Sequence, residues 1–257
     1  MIALTGMRLR AFVRTGRSVA PLIAALAVLS VLYGGGRAEA GEAYGASALI
    51  LFPVLAWQTK ILLDVEPDVQ RRLARVAAGS AGREITAGLL AAAVAGLGTI
   101  AIALALPWLV QGVKPDPGGL GGDVAAVALG FGVHLLALLP AVALGGLACR
   151  AVTRSAGNGV AVLVTGAVLA IVLGLQGSPV PWLVPPLMAT ARFTASGSGA
   201  ATALWLTVHA FLWSGRRSPS TPACAAPAPD HCARSGLPAR PRQRGGGSVT
   251  RRVRLAE

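Results

Sequence analysis

Six blocks of apolar residues run along the chain, separated by short polar or charged connections. They extend from about Ser18 to Tyr33, Ala46 to Leu63, Ile85 to Val110, Val124 to Ala148, Gly159 to Leu175 and Gly199 to Trp213. About 20 apolar residues cross a bilayer as a helix. The second, third and fourth blocks reach that length unaided. The first and fifth need flanking residues, and the sixth, "GAATALWLTVHAFLW", is short. The pattern predicts an all-α integral membrane protein with six transmembrane helices within 18–213.

Two connections depart from a plain loop. Between the second and third blocks lies "LLDVEPDVQRRLARVAAGSAGRE". Val65, Val69, Leu73 and Val76 fall on one face of a helix. Asp64, Glu66 and Asp68 gather at its leading end and Arg71, Arg72 and Arg75 toward its trailing end, which complements the helix dipole. Pro67 suits a first helical position. Asp68 reaches Arg71 and Arg72 at i+3 and i+4, worth about 0.2–0.5 kcal/mol each. "GSAG" then ends the helix. The expectation is an amphipathic helix over 66–78, roughly 18 Å long at the rise of an α-helix.

Between the fifth and sixth blocks lies "QGSPVPWLVPPLMATARFTASGSG". Pro179, Pro181, Pro185 and Pro186 forbid one continuous helix. Trp182, Leu183, Val184, Leu187 and Met188 favour burial over water. A short re-entrant or interface-lying hairpin satisfies both facts, and a loop resting on the bundle is the alternative.

Composition agrees with a membrane chain. Of 257 residues, 54% are hydrophobic and only 13% charged, against roughly 25% charged in soluble domains. The net charge of +13 is placed as topology rather than as a nucleic-acid footprint. With the N-terminus in the cytoplasm, one side of the membrane holds 20 of the 23 lysines and arginines; without the tail the division is 11 against 3. The positive-inside rule therefore puts both termini in the cytoplasm and the chain in the cytoplasmic membrane. "MRLRAFVRTGR" resembles the start of a signal peptide, but five further apolar blocks follow. Residues 1–17 read as an amphipathic helix lying in the interface, or as a plain basic flank.

Chemistry is sparse. Cys149, Cys224 and Cys232 form no disulfide framework, and "CAAPAPDHC" lacks the ligand spacing of a zinc site. No catalytic constellation and no metal site is expected. His134, in "GFGVHLLALLP", is a candidate contact in a substrate pathway or a proton relay, or a neutral histidine hydrogen-bonded inside the bundle. Lys60 can snorkel from the end of the second span. Small residues recur every fourth position at Gly88, Ala92 and Gly96, and at Gly166, Ala170 and Gly174, which suits close helix packing.

These features together resemble the permease subunit of a type-2 ATP-binding-cassette exporter. The shared traits are six spans, cytoplasmic termini, an N-terminal interfacial helix, a charged helix after the second span and an outer hydrophobic hairpin before the sixth. Glu66 and Asp68 resemble the family's acidic element and Leu73 its apolar helix position. "AGSAGRE" resembles its turn, and "SPVPWLVPPL" its outer re-entrant element. The resemblance covers Met1 to about Trp213. It implies that 66–78 is a coupling helix docking on a cytoplasmic ATPase subunit, with Glu66, Asp68, Val69, Arg71, Arg72, Leu73 and Arg75 as its site residues. It also implies a second permease subunit, identical or not. The chain has no G-x4-G-K-[ST] phosphate loop, so ATP would be bound by the partner and no cofactor by this chain. The acidic leading end argues for a protein groove over the anionic leaflet. An ion- or proton-driven transporter is the main rival, although it would be expected to carry acids at mid-membrane. A non-transporting assembly or anchoring protein is the other.

Beyond Trp213 the chain turns to Arg, Pro, Gly, Ser and Ala without periodicity. Residues 214–257 are expected to be disordered. They are either a basic tail attracted to anionic lipid or a shifted reading frame of a GC-rich gene.

Overall fold

The computed structural model describes residues 1–178, 180–196 and 199–216, leaving aside the side chains of Asp68, Ala200 and Arg216. Within them the chain is helical, with no strand beyond an isolated bridge between Ala38 and Val113. The helices are α1 (Ile2–Arg14), α2 (Val19–Tyr33), α3 (Ala40–Leu63), α4 (Asp68–Ala78), α5 (Ala81–Leu109), α6 (Leu120–Leu147), α7 (Arg150–Thr153), α8 (Ala156–Val172), α9 (Leu187–Ser196) and α10 (Ala200–Arg216). A single 3-10 turn, Pro181–Leu183, precedes α9.

Three stretches are long and apolar enough to cross a membrane: Ala40–Leu63, Ala81–Leu109 and Leu120–Thr153. Helices α1 and α2 meet that criterion only together, and they are bent by 73° at their junction. Among the described residues the count of candidate spans is thus three, or four if the bent pair is one span, rather than six. The reason is length. Helices α8 and α10 have 17 residues each, about 25 Å at 1.5 Å per residue, short of a hydrocarbon core of about 30 Å.

Several expected boundaries shift. Helix α3 begins six residues before Ala46, because its first turns pack on α9: a Cβ at Gly41 or Gly45 would strike Thr194 or Ala191. Helix α5 begins at Ala81, where the Ser80 side chain accepts a hydrogen bond from the Arg83 backbone N–H at 3.2 Å. The cap satisfies one of the orphan donors of the first turn. Helix α10 continues through residues 214–216, and the rest of the tail lies outside the described residues.

The core is built around α3 and α6. Tyr44, Leu51, Phe52, Leu55, Ile100 and Ala141 are among its fully buried members. Gly145 lets α6 approach the Ala56 carbonyl and the Thr59 side chain of α3. Two of the four-residue ridges act in the same way, Gly96 against Leu138 and Gly166 against Leu144. Such contacts stabilise helix pairs where surrounding lipid is as apolar as the side chains.

Candidate functional site

The charged connection between α3 and α5 becomes the most built part of the molecule. Leu62, in the last turn of α3, lies inside a small second core with Phe12, Ala91 and Ala92. The chain then turns through Asp64, Val65 and Glu66. Pro67 stands at the N-cap of α4 with an extended backbone, φ −60° and ψ 153°. Two expectations are corrected here. The helix starts at Asp68 rather than at 66, and Pro67 precedes its first turn. The C-terminal end is Gly79 at φ 76°, a left-handed position that costs glycine little and stops the helix.

Glu66 does not face a partner. It is 6% exposed and lies against Arg8 of α1, which is 4% exposed. Arg8 Nη2 donates to Glu66 Oε2 at 2.8 Å and to Glu84 Oε1 of α5. Arg8 Nη1 donates to the Glu84 carbonyl oxygen at 3.0 Å. Glu84 is 4% exposed, and its Oε2 accepts from Arg75 Nε of α4 at 3.4 Å. Glu66 Oε1 is buried without a hydrogen-bond partner among the described residues. Burial alone would favour a neutral Arg8. The hydrogen bonds and charges of Glu66 and Glu84 outweigh it and hold the guanidinium above its ordinary value. Removing one member of such a buried group strands the others and costs about 3–5 kcal/mol.

Gly88 makes room for this bridge. A Cβ there would meet the Arg8 guanidinium and the Leu63 side chain. The small-residue ridge of α5 therefore serves α1 and α3 at this end, and α6 at Gly96.

Asp64, two residues before Glu66, anchors the turn from the other side. Its Oδ2 accepts from Lys60 Nζ at 2.9 Å and its Oδ1 from the Arg150 backbone N–H at 2.8 Å. Arg17 and Arg150 reach its carbonyl oxygen at 3.3 and 3.4 Å. Lys60 is thus a buried ion-pair partner, not a snorkelling side chain. Arg71 donates to the Leu63 carbonyl oxygen. Near this turn Arg8, Arg71, Arg75, Glu84 and Cys149 help line a cavity of about 40 Å³.

The opposite face of α4 is bare. Val69, Leu73 and Val76 are 70%, 65% and 82% exposed. Arg72, beside them, is exposed too. Next to this stripe runs a groove of about 660 Å³ between α1 and α4, lined by Met1, Ala3, Leu4, Met7, Ala74, Ala77, Ala78 and Arg83. Of the expected site residues, Val69, Arg72 and Leu73 therefore lie on the accessible face. Glu66, Arg71 and Arg75 hold the helix to the bundle, and the Asp68 side chain lies outside the description.

His134 lies far from this cluster, on α6 against α3. It has no exposed surface. Its Nδ1 lies 2.7 Å from the Gly130 carbonyl oxygen and its Nε2 3.1 Å from Ser47 Oγ. A carbonyl can only accept, so Nδ1 carries the proton, and the one proton of the Ser47 hydroxyl is shared between Nε2 and the Tyr44 carbonyl, each 3.1 Å away. The Tyr44 ring meets it edge-on, with centroids 6.3 Å apart. Among the described residues this is an interior histidine with both ring nitrogens within hydrogen-bond distance of a partner.

At the far end of α3 the arrangement differs. Backbone hydrogen bonds from Ala38 N–H to Gly112 and from Lys114 N–H to Ala38, at 3.0 and 3.1 Å, join the α2–α3 and α5–α6 connections. Helix α9 packs on α3 there, with Leu187, Thr190 and Thr194 buried. Thr190 Oγ1 donates to the Pro186 carbonyl at 2.6 Å and Thr194 Oγ1 to that of Ala191 at 2.9 Å, so both hydroxyls are buried without loss. The expected hairpin is thus a 3-10 turn and a short helix. Val184 and Leu187 are buried, while Trp182 and Leu183 remain exposed.

No family model, no curated protein and no solved structure matches the chain.

Proposed function

We propose that this chain is the membrane permease subunit of an ATP-driven exporter, working with a separate cytoplasmic ATPase subunit. The observation that carries the reading is α4. It is a short helix fixed at its base by buried ion pairs on both sides, yet it leaves Val69, Leu73 and Val76 uncovered. A helix that only rested on the bundle would turn that stripe inward. One that lay on lipid would not need its leading turn locked in place by Arg8 and by Arg150. A rigid helix with an open apolar stripe, continuous with the α1–α4 groove, is shaped to receive a partner's helix. Force on that surface would pass into the helices to which α4 is tied.

In this reading α4 faces the cytoplasm, as does the end of the bundle that gathers Arg8, Arg17, Arg71, Arg75 and Arg150. The shorter α8 and α10 complete six spans with the help of flanking residues and local thinning of the bilayer. Helix α9 and the 3-10 turn lie at the outer surface. Substrate would pass along a surface formed with a second permease subunit.

The test uses the exposed stripe and not the buried acids. Reversing Glu66 would probe folding, since it would set an added cation against Arg8. Leu73→Glu with Val76→Glu leaves the buried bridge intact. The expected result is loss of a co-purifying, ATP-hydrolysing subunit with an unchanged melting temperature. Retention of the subunit by the double variant would refute the docking role.

A further inference from the structure

Three helices meet at Arg8, and the covalent path between two of them is weak. Helices α4 and α5 are joined only by Gly79 and Ser80, with Gly79 in a left-handed conformation. Gly79 breaks the helix there, so α4 and α5 are two separate rods and not one. The ionic path is more direct: Glu66 at the foot of α4, Arg8 on α1, and Glu84 in the first turn of α5. Arg75 of α4 reaches the second oxygen of Glu84 at 3.4 Å and closes the ring from the other side. All three central side chains are buried, so water does not screen the links.

We infer that Arg8 makes α1 a working part of the coupling apparatus: α1, α4 and the first turn of α5 move as one body because the Glu66–Arg8–Glu84 bridge holds them. This rests on the reading of α4 as the docking helix, and it adds that α1 must follow α4. Arg8 is a positioning residue in this scheme. Its neighbours explain why an arginine is needed. Nη2 serves both carboxylates and Nη1 the Glu84 carbonyl, a fan of contacts that a lysine ammonium cannot span in one plane. Helix α1 has its own attachment through Phe12 to the small core of Leu62, Ala91 and Ala92, and Thr5 Oγ1 donates to the Ala87 carbonyl at 3.2 Å. These contacts tie α1 to α3 and α5. The ion pair from Arg8 to Glu66 is what ties it to the foot of α4.

The experiment measures distances between spin labels in the full chain, reconstituted in lipid nanodiscs, with the native cysteines replaced. One label is placed at Arg10 and the other at Gln70, both exposed. With Arg8 present, the distance distribution is expected to be single and narrow. Arg8→Met should broaden it at least twofold. Because that variant strands two buried acids and could fail to fold, the triple variant Arg8→Met, Glu66→Gln, Glu84→Gln is measured beside it. The triple variant should recover most of the lost melting temperature yet keep the broad distribution. Arg8 as mere packing would predict the reverse, a narrow distribution whenever stability is restored, and that result would overturn the inference. Because no ATPase takes part, failure of the docking reading is scored separately, by the co-purification described above.

Discussion

The two ends of the α3–α6 pair are held by different physics. At the α4 end, Arg8, Glu66, Glu84, Lys60 and Asp64 are buried and paired, Arg8 with Glu66 at 2.8 Å and with Glu84, and Lys60 with Asp64 at 2.9 Å. At the α9 end the ion pair Lys114–Glu39, 3.0 Å long, has side chains 53% and 70% exposed. There the connection is made by backbone hydrogen bonds and by glycines packed against α9. Buried ions are costly to desolvate and costly to break, so they fix one geometry strongly and resist alternatives. Exposed pairs contribute about 0–1 kcal/mol and are screened by salt. The α4 end is therefore fixed in one geometry more strongly than the α9 end.

The comparison breaks first at Arg8. Arg8→Met is expected to lower stability by about 3–5 kcal/mol, measured as a fall in melting temperature in detergent, and adding Glu66→Gln and Glu84→Gln should return most of it. Next is the packing that joins both ends. Gly145→Val sets a branched side chain against the Ala56 carbonyl and Thr59, and should cost about 1–3 kcal/mol or more, as overpacking does. His134→Leu should cost about 0.5–1.5 kcal/mol, because the hydrogen bonds to Ser47 and to the Gly130 carbonyl are lost while Ser47 keeps the Tyr44 carbonyl as a partner. The smallest effect is expected at the α9 end. Lys114→Ala should change stability by about 0–1 kcal/mol, and that difference should vanish at high salt. A large, salt-insensitive loss there would erase the contrast between the ends.

Much of this was legible in the apolar pattern. A long apolar run announces a membrane helix without reference to the rest of the fold, and α3, α5 and α6 were foreseen for that reason. An amphipathic helix was expected over 66–78 because periodicity is local, and α4 occupies all of that stretch but its first two residues. Its attachment was not. Arg8 meets Glu66 and Glu84 across separations of 58 and 76 residues, and nothing in a basic N-terminal flank tells which arginine turns inward. Glu84 looked like a charge at a span end. One signal was available: Arg8 and Phe12 stand four apart, as neighbours on one helix face share, and they are the two buried residues of α1. The early start of α3 was hidden too, because "AGEAYG" is weakly apolar and its glycines matter only once α9 packs on them.

The most direct measurement is the subunit composition of the purified, membrane-extracted complex, with and without Leu73→Glu and Val76→Glu. The account predicts an ATP-hydrolysing subunit in a fixed ratio with the parent chain, and its loss from the double variant at unchanged melting temperature. A parent chain that purifies without such a subunit, or a double variant that keeps it in full, would contradict the account.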